Sequence, residues 1–184
     1  MPPNKMRLLG GCILLLIIVA GALMFHAQGF STAPDVTFRY IDGRQINLKH
    51  LENRPVLVTF WATTCPGCMK ELPHLITLYN AFSAHGLEIV GVAMSYDPPD
   101  RVLAMTRDRN IPYPISLDID GSIARAFDDV TVTPTFFLIA PDGSIIARTV
   151  GALDMEKLHR QISDMLMQPQ VGGQESQETH KNQG

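Results

Sequence analysis

Pro55–Ala62 (PVLVTFWA) is a nearly continuous β-branched and aromatic run, and two threonines later stands Cys65-Pro66-Gly67-Cys68. A run of this length and composition is the pattern of a central strand buried on both faces. Downstream, Leu72, Leu75, Ile76, Tyr79 and Phe82 recur at helical spacing, which predicts a helix from about Cys65 to Ala84. Pro73 lies inside it and is expected to kink it, because proline removes one backbone donor. Any fold open to this chain must therefore put two thiols where a buried strand hands over to a helix.

The remaining segments alternate in the same way. Val36–Tyr40 and Gln45–Leu48 read as strands about a turn at Asp42-Gly43, and Leu87–Ser95 as another buried strand. Val102–Arg109 reads as helical, Pro114–Leu117 as a short strand, and Ile123–Phe127 as a helical turn or two. Thr135–Ala140 and Ser144–Val150 form a hairpin across Pro141-Asp142-Gly143, and Asp154 caps a last amphipathic helix bearing Met155, Leu158, Ile162 and Leu166. Strands alternating with helices imply an α/β fold, with the C-terminal hairpin making its sheet mixed.

The ends differ from this domain. Residues 1–7 carry Lys5 and Arg7, and Leu8–Phe25 then runs eighteen residues without a charge. That length lies at the short end of the roughly 17–25 residues that span a bilayer. We read 8–25 as a single-pass anchor or uncleaved signal; the cleavage-like Ala27-Gln28-Gly29 leaves a cleaved signal as the alternative. The basic flank keeps residues 1–7 cytoplasmic, so the domain is expected outside the cytoplasm, periplasmic in a two-membrane bacterium. Cys12 reads as a small apolar residue in the membrane, since a lipoprotein acceptor belongs after the apolar run. Residues 26–35 are expected to be a linker, 36–167 the folded domain, and 168–184 a disordered polar tail. A net charge of −3 and no basic cluster interleaved with aromatics argue against a nucleic-acid partner.

The dithiol carries the chemistry. At a helix start, the Cys65 thiolate faces unpaired backbone N–H groups and the positive end of the helix dipole, and both stabilise it as a nucleophile. Pro66 suits the first helical turn, and Cys68 lies near enough to resolve a mixed disulfide. Three cysteines in all rule out a disulfide-stapled mini-domain. A structural disulfide seldom closes so small a loop, and zinc would need a second ligand pair beyond His74 and His85. No metal and no cofactor are expected.

Trp61-Ala62-Thr63-Thr64-Cys65-Pro66-Gly67-Cys68-Met69-Lys70-Glu71-Leu72-Pro73 resembles the active-site stretch of the TlpA/ResA-like thioredoxins, exported and commonly membrane-anchored thiol–disulfide oxidoreductases. The resemblance covers about Pro34–Leu166. It implies a thioredoxin fold, a mixed central sheet flanked by helices, with the helix–strand insertion of that family at about Asp100–Leu117. It also implies that Val132-Thr133-Pro134-Thr135 is a loop with a cis Pro134 facing the dithiol, where Thr133 and Pro134 bind substrate. Glu71 matches the family's glutamate three residues after the second cysteine. At i+3 its carboxylate approaches Cys68 and can carry protons to and from the thiols; an ordinary first-turn acid is the alternative. Trp61 is expected either to face substrate or to pack.

Three departures stand out. Thr59 occupies the place of the buried aspartate of ordinary thioredoxin, Thr64 replaces a tryptophan, and no acidic residue follows Pro134. Within the resemblance, partners are protein thiols and disulfides together with an upstream membrane electron donor. Reductase is the expected direction, because folding oxidants carry a much larger helical insertion; oxidant or isomerase is the alternative. A thiol peroxidase is disfavoured, since Ala62 and Val58 stand where its threonine and proline belong. A copper-binding assembly factor is disfavoured, since it would want a wider cysteine spacing and a histidine after the later strands, and the stretch around Pro134 has none.

Overall fold

The computed structural model describes residues 32–167. The apolar run Leu8–Phe25, Cys12, most of the 26–35 segment and the tail from Gln168 lie outside them. Among the described residues no helix is long and apolar enough to cross a membrane.

The apolar run upstream of the dithiol forms β3 (Val56–Trp61), buried at all six positions. Burial on both faces places it in the middle of a five-stranded sheet. Its neighbours are β4 (Glu88–Ala93), parallel, and β6 (Thr135–Ile139), antiparallel. Beyond β4 lies β5 (Ile115–Leu117), parallel, and beyond β6 its hairpin partner β7 (Ile145–Val150), giving the order β5-β4-β3-β6-β7. This is the mixed sheet that the alternating sequence pattern predicts. β1 (Thr37–Arg39) and β2 (Gln45–Asn47) form a separate antiparallel pair. That pair covers the β5 edge through a Tyr40–Ser116 bridge and the Arg39 N–H donated to Ser116 Oγ at 3.1 Å, which removes an exposed strand edge.

Among the described residues four α-helices flank the sheet: α1 (Pro66–Phe82), α2 (Pro99–Asp108), α3 (Ser122–Ala126) and α4 (Met155–Met167). α1 runs through Pro73 without a break in its helical span. α2 starts three residues earlier than the apolar pattern at Val102 predicts, because Pro99 sits in its first turn, where a missing N–H is not needed. α2 and β5 are a helix and a strand within the stretch from about Asp100 to Leu117. α4 is capped as the sequence predicts, Asp154 Oδ1 accepting the Lys157 N–H at 2.9 Å. α3 is held by Asp118, a buried acid that accepts the Ile123 and Ala124 N–H groups, each at 2.9 Å.

Strict alternation along β3 divides the core in two. Val56, Val58 and Phe60 face a layer with Phe38, Phe127 and Phe137, while Leu57 and Trp61 face Leu72, Leu75 and Leu78 of α1 and Leu158 and Ile162 of α4. The segment entering the domain is also tied down. Thr32 bridges Ser144, and Ala33 N–H donates to Gly143 O at 2.8 Å, so residues 32–33 of the expected linker lie against the β6–β7 turn.

Candidate active site

Where β3 ends, Cys65 N–H donates to Ala62 O at 3.1 Å, and Cys65 becomes the N-cap of α1. Its backbone is extended, and its Sγ accepts the Cys68 N–H at 3.1 Å. Pro66 takes the first helical position. Cys65 and Cys68 are joined in a disulfide with Cα atoms 5.3 Å apart. The cap bond places the Cys65 sulfur on one of the unpaired donors at the positive end of the helix, where a thiolate is favoured. The two sulfurs are unequal in access: Cys65 is half-buried, whereas Cys68 is only 5% exposed.

Two other segments hold this corner. Asp97, in the loop after β4, is buried and accepts both the Thr63 N–H and the Thr63 hydroxyl at 2.6 Å. It fixes the residues just ahead of the dithiol. Sequence reasoning missed it, because nothing local links positions 34 residues apart. On the opposite side the Thr133–Pro134 peptide is cis. Pro134 Cδ would lie 3.1 Å from a Cβ at position 67, so Gly67 is what lets this loop approach the first turn of α1. Pro134 is buried, Thr133 is partly exposed, and Thr133 Oγ1 lies 3.4 Å from the Tyr96 hydroxyl. Tyr96 and Val132 remain exposed beside it, and Thr64 is exposed ahead of Cys65.

Behind the dithiol lies a cavity of about 10 Å³, lined among others by Thr59, Trp61, Cys68, Glu71, Tyr113 and Pro134. Glu71 is 7% exposed, and its Oε2 has no hydrogen-bond partner; the Trp61 indole N–H, on a side chain 6% exposed, is likewise unpartnered. Burial raises the Tyr113 phenol well above its ordinary value, so that wall of the cavity stays neutral. The sequence-predicted residues Trp61, Cys65, Cys68, Glu71, Thr133 and Pro134 thus meet at one end of β3. Trp61 sits beneath the dithiol with its ring in the core. Larger hollows, of about 70 and 220 Å³, contain no cysteine. Among the described residues no cluster of three or more His, Cys, Asp or Glu side chains could hold a metal ion.

Comparison with known proteins agrees with this geometry. The AhpC/TSA family model matches residues 31–148. The thiol-disulfide oxidoreductase ResA of Bacillus subtilis is 30% identical over 158 residues, 81% of this chain and 87% of that one. The ResA of Bacillus anthracis is 32% identical over 167 residues, 84% of this chain and 94% of that one. Among solved structures, a thioredoxin-family thiol:disulfide interchange protein from Chlorobium tepidum aligns with a TM-score of 0.68 at 25% identity. It covers 74% of this chain and 97% of its own. StoA from Bacillus subtilis aligns with a TM-score of 0.61 at 25% identity, over 70% of this chain and 96% of its own. The fold is thioredoxin-like.

Proposed function

Because the chain belongs to the AhpC/TSA family, we propose that it is a thiol–disulfide oxidoreductase that works through Cys65 and Cys68 as a reductase of protein disulfides. The observation that carries this reading is the Cys65 sulfur at the N-cap of α1, accepting a backbone N–H and flanked by the cis-Pro134 loop. A peroxidase would need a proton-donating threonine and a proline ahead of its cysteine, and Ala62 and Val58 offer neither.

In the working cycle the reduced pair meets a substrate disulfide. The Cys65 thiolate attacks one substrate sulfur, the substrate S–S bond breaks, and its other sulfur leaves as a thiolate. Cys68 then loses its proton to Glu71 and attacks Cys65 Sγ. The Cys65–Cys68 bond forms, the second substrate thiolate departs, and two electrons have passed from protein to substrate. A substrate segment laid beside Thr133 like an added strand would bring its disulfide over Cys65. Main-chain pairing reads little sequence, which suits a broad substrate set.

The fuller reading places this domain outside the cytoplasm on an inner-membrane anchor formed by Leu8–Phe25, recharged by a membrane electron donor. The Lys5/Arg7 flank and the eighteen uncharged residues support it.

The assigned roles make a specific trapping experiment possible. Cys68→Ser should accumulate a mixed disulfide with a model protein substrate, and peptide mapping should find the substrate on Cys65. Substrate found on residue 68 in the converse variant Cys65→Ser, with none on Cys65 in the first, would reverse the roles.

A further inference from the structure

Glu71 is 7% exposed and its Oε2 is shut off from solvent. A carboxyl so placed can take the Cys68 proton, and from Oε2 that proton reaches bulk water only through a neighbour that touches Oε2 and is itself exposed. One side chain meets both requirements. His74 Nδ1 lies 3.5 Å from Glu71 Oε2, and the imidazole is 57% exposed. That separation is longer than a formed hydrogen bond yet within reach of one after a small side-chain shift. Cys68, Glu71 and His74 follow each other at three-residue steps on α1, so they lie along one stripe of the helix from the buried sulfur to the surface. The other groups around Glu71 do not serve. Tyr113 is held neutral by burial, the buried Trp61 indole N–H is a donor only, and Lys70, exposed on α1, offers no acceptor while charged.

We propose that His74 is the solvent end of a proton path that starts at Cys68 and passes through Glu71. The inference rests on the reading of Glu71 as the proton carrier. In the resolving step the Cys68 proton moves to the Glu71 carboxylate as the Cys68 sulfur closes on Cys65 Sγ. Glu71 hands the proton to the neutral His74 ring, and the imidazolium releases it to water. When the disulfide is reduced again, the same groups return the proton. His74 touches neither substrate nor sulfur, so it is a positioning and relay residue rather than a catalytic one. Imidazole suits this post because one ring nitrogen can accept a proton while the other releases one.

The test is the pH profile of the resolving step in single-turnover reactions of the full-length protein at low buffer concentration, comparing wild type, His74→Ala and Glu71→Gln. His74→Ala is expected to slow resolution by about tenfold, less than the roughly 10²–10⁴-fold of a group that transfers the proton directly. Alkylation of Cys65 should stay unchanged. Added imidazole should restore the rate of His74→Ala and leave Glu71→Gln slow. A His74→Ala profile superimposable on wild type, or one that imidazole fails to restore, would overturn the inference while a slow Glu71→Gln left the Glu71 reading standing. A Glu71→Gln variant with unchanged rate and thiol titration would remove both.

Discussion

Cys65→Ser is expected to lower protein-disulfide reduction to the background rate measured without the protein, while the domain stays folded. The serine hydroxyl can accept the Cys68 N–H that Cys65 Sγ accepts at 3.1 Å, and serine is among the favoured N-caps. The helix start therefore survives the substitution. What is lost is the thiol at this helix start that has access to substrate. Cys68, at 5% exposure, lies beneath the first turn and cannot take over the attack. A serine hydroxyl has no tendency to ionise near neutral pH and does not exchange with disulfides. Turnover of insulin with dithiothreitol, with circular dichroism to check the fold, is the measurement. Residual activity above background would mean that a second nucleophile exists and that the two cysteines have been assigned the wrong roles.

The largest effect on stability is expected at Phe60. This side chain is fully buried near the end of β3 and meets Phe127 and Phe137 edge-on, with centroids 5.4 and 5.9 Å away. Phe→Ala in a core costs about 3–5 kcal/mol through lost transfer energy and the cavity left behind, and each aromatic pair adds about 0.5–1.5 kcal/mol beyond area. Domains of this size are stable by only about 5–15 kcal/mol. Phe60→Ala should therefore lower the urea midpoint by at least about 1 M, given slopes of about 1–3 kcal/mol per molar. A shift of a few tenths of a molar would mean that β3 is not the centre of the core. Phe60 packs on the face away from the dithiol cavity, so the folded fraction should keep its exchange chemistry.

Much of this was legible before any coordinates, because the strongest signals are local. A run such as PVLVTFWA has no stable place except the middle of a sheet, and the structure buries each residue of β3. The hairpin turn at Pro141-Asp142-Gly143 is equally local, since Gly143 adopts the positive φ of 82° that the turn requires. Apolar spacing places the beginning of α2 at Val102, whereas the helix starts with the proline geometry at Pro99. Asp97, Asp118 and the Glu71–His74 approach were not visible in the sequence. Each depends on a side chain meeting a backbone donor or a neighbour whose position is set by tertiary packing or by rotamer choice. Trp61 illustrates the same limit. Its place beside the C-x-x-C is plain in the sequence, but only the packing of β3 against α1 directs its ring into the core.

The central claim is that the Cys65–Cys68 pair gives electrons to protein disulfides, and its reduction potential tests that claim most directly. Thioredoxin lies at about −270 mV and a strong periplasmic oxidant at about −120 mV, with 30 mV equal to about 1.4 kcal/mol for two electrons. Equilibration of the full-length protein with glutathione or dithiothreitol buffers, read by alkylation of the free thiols, is expected to give a value nearer the first, together with reduction of insulin. A value near the oxidant's, with catalysed disulfide formation in a reduced unfolded protein, would contradict the account and reverse the flow of electrons through the same two sulfurs.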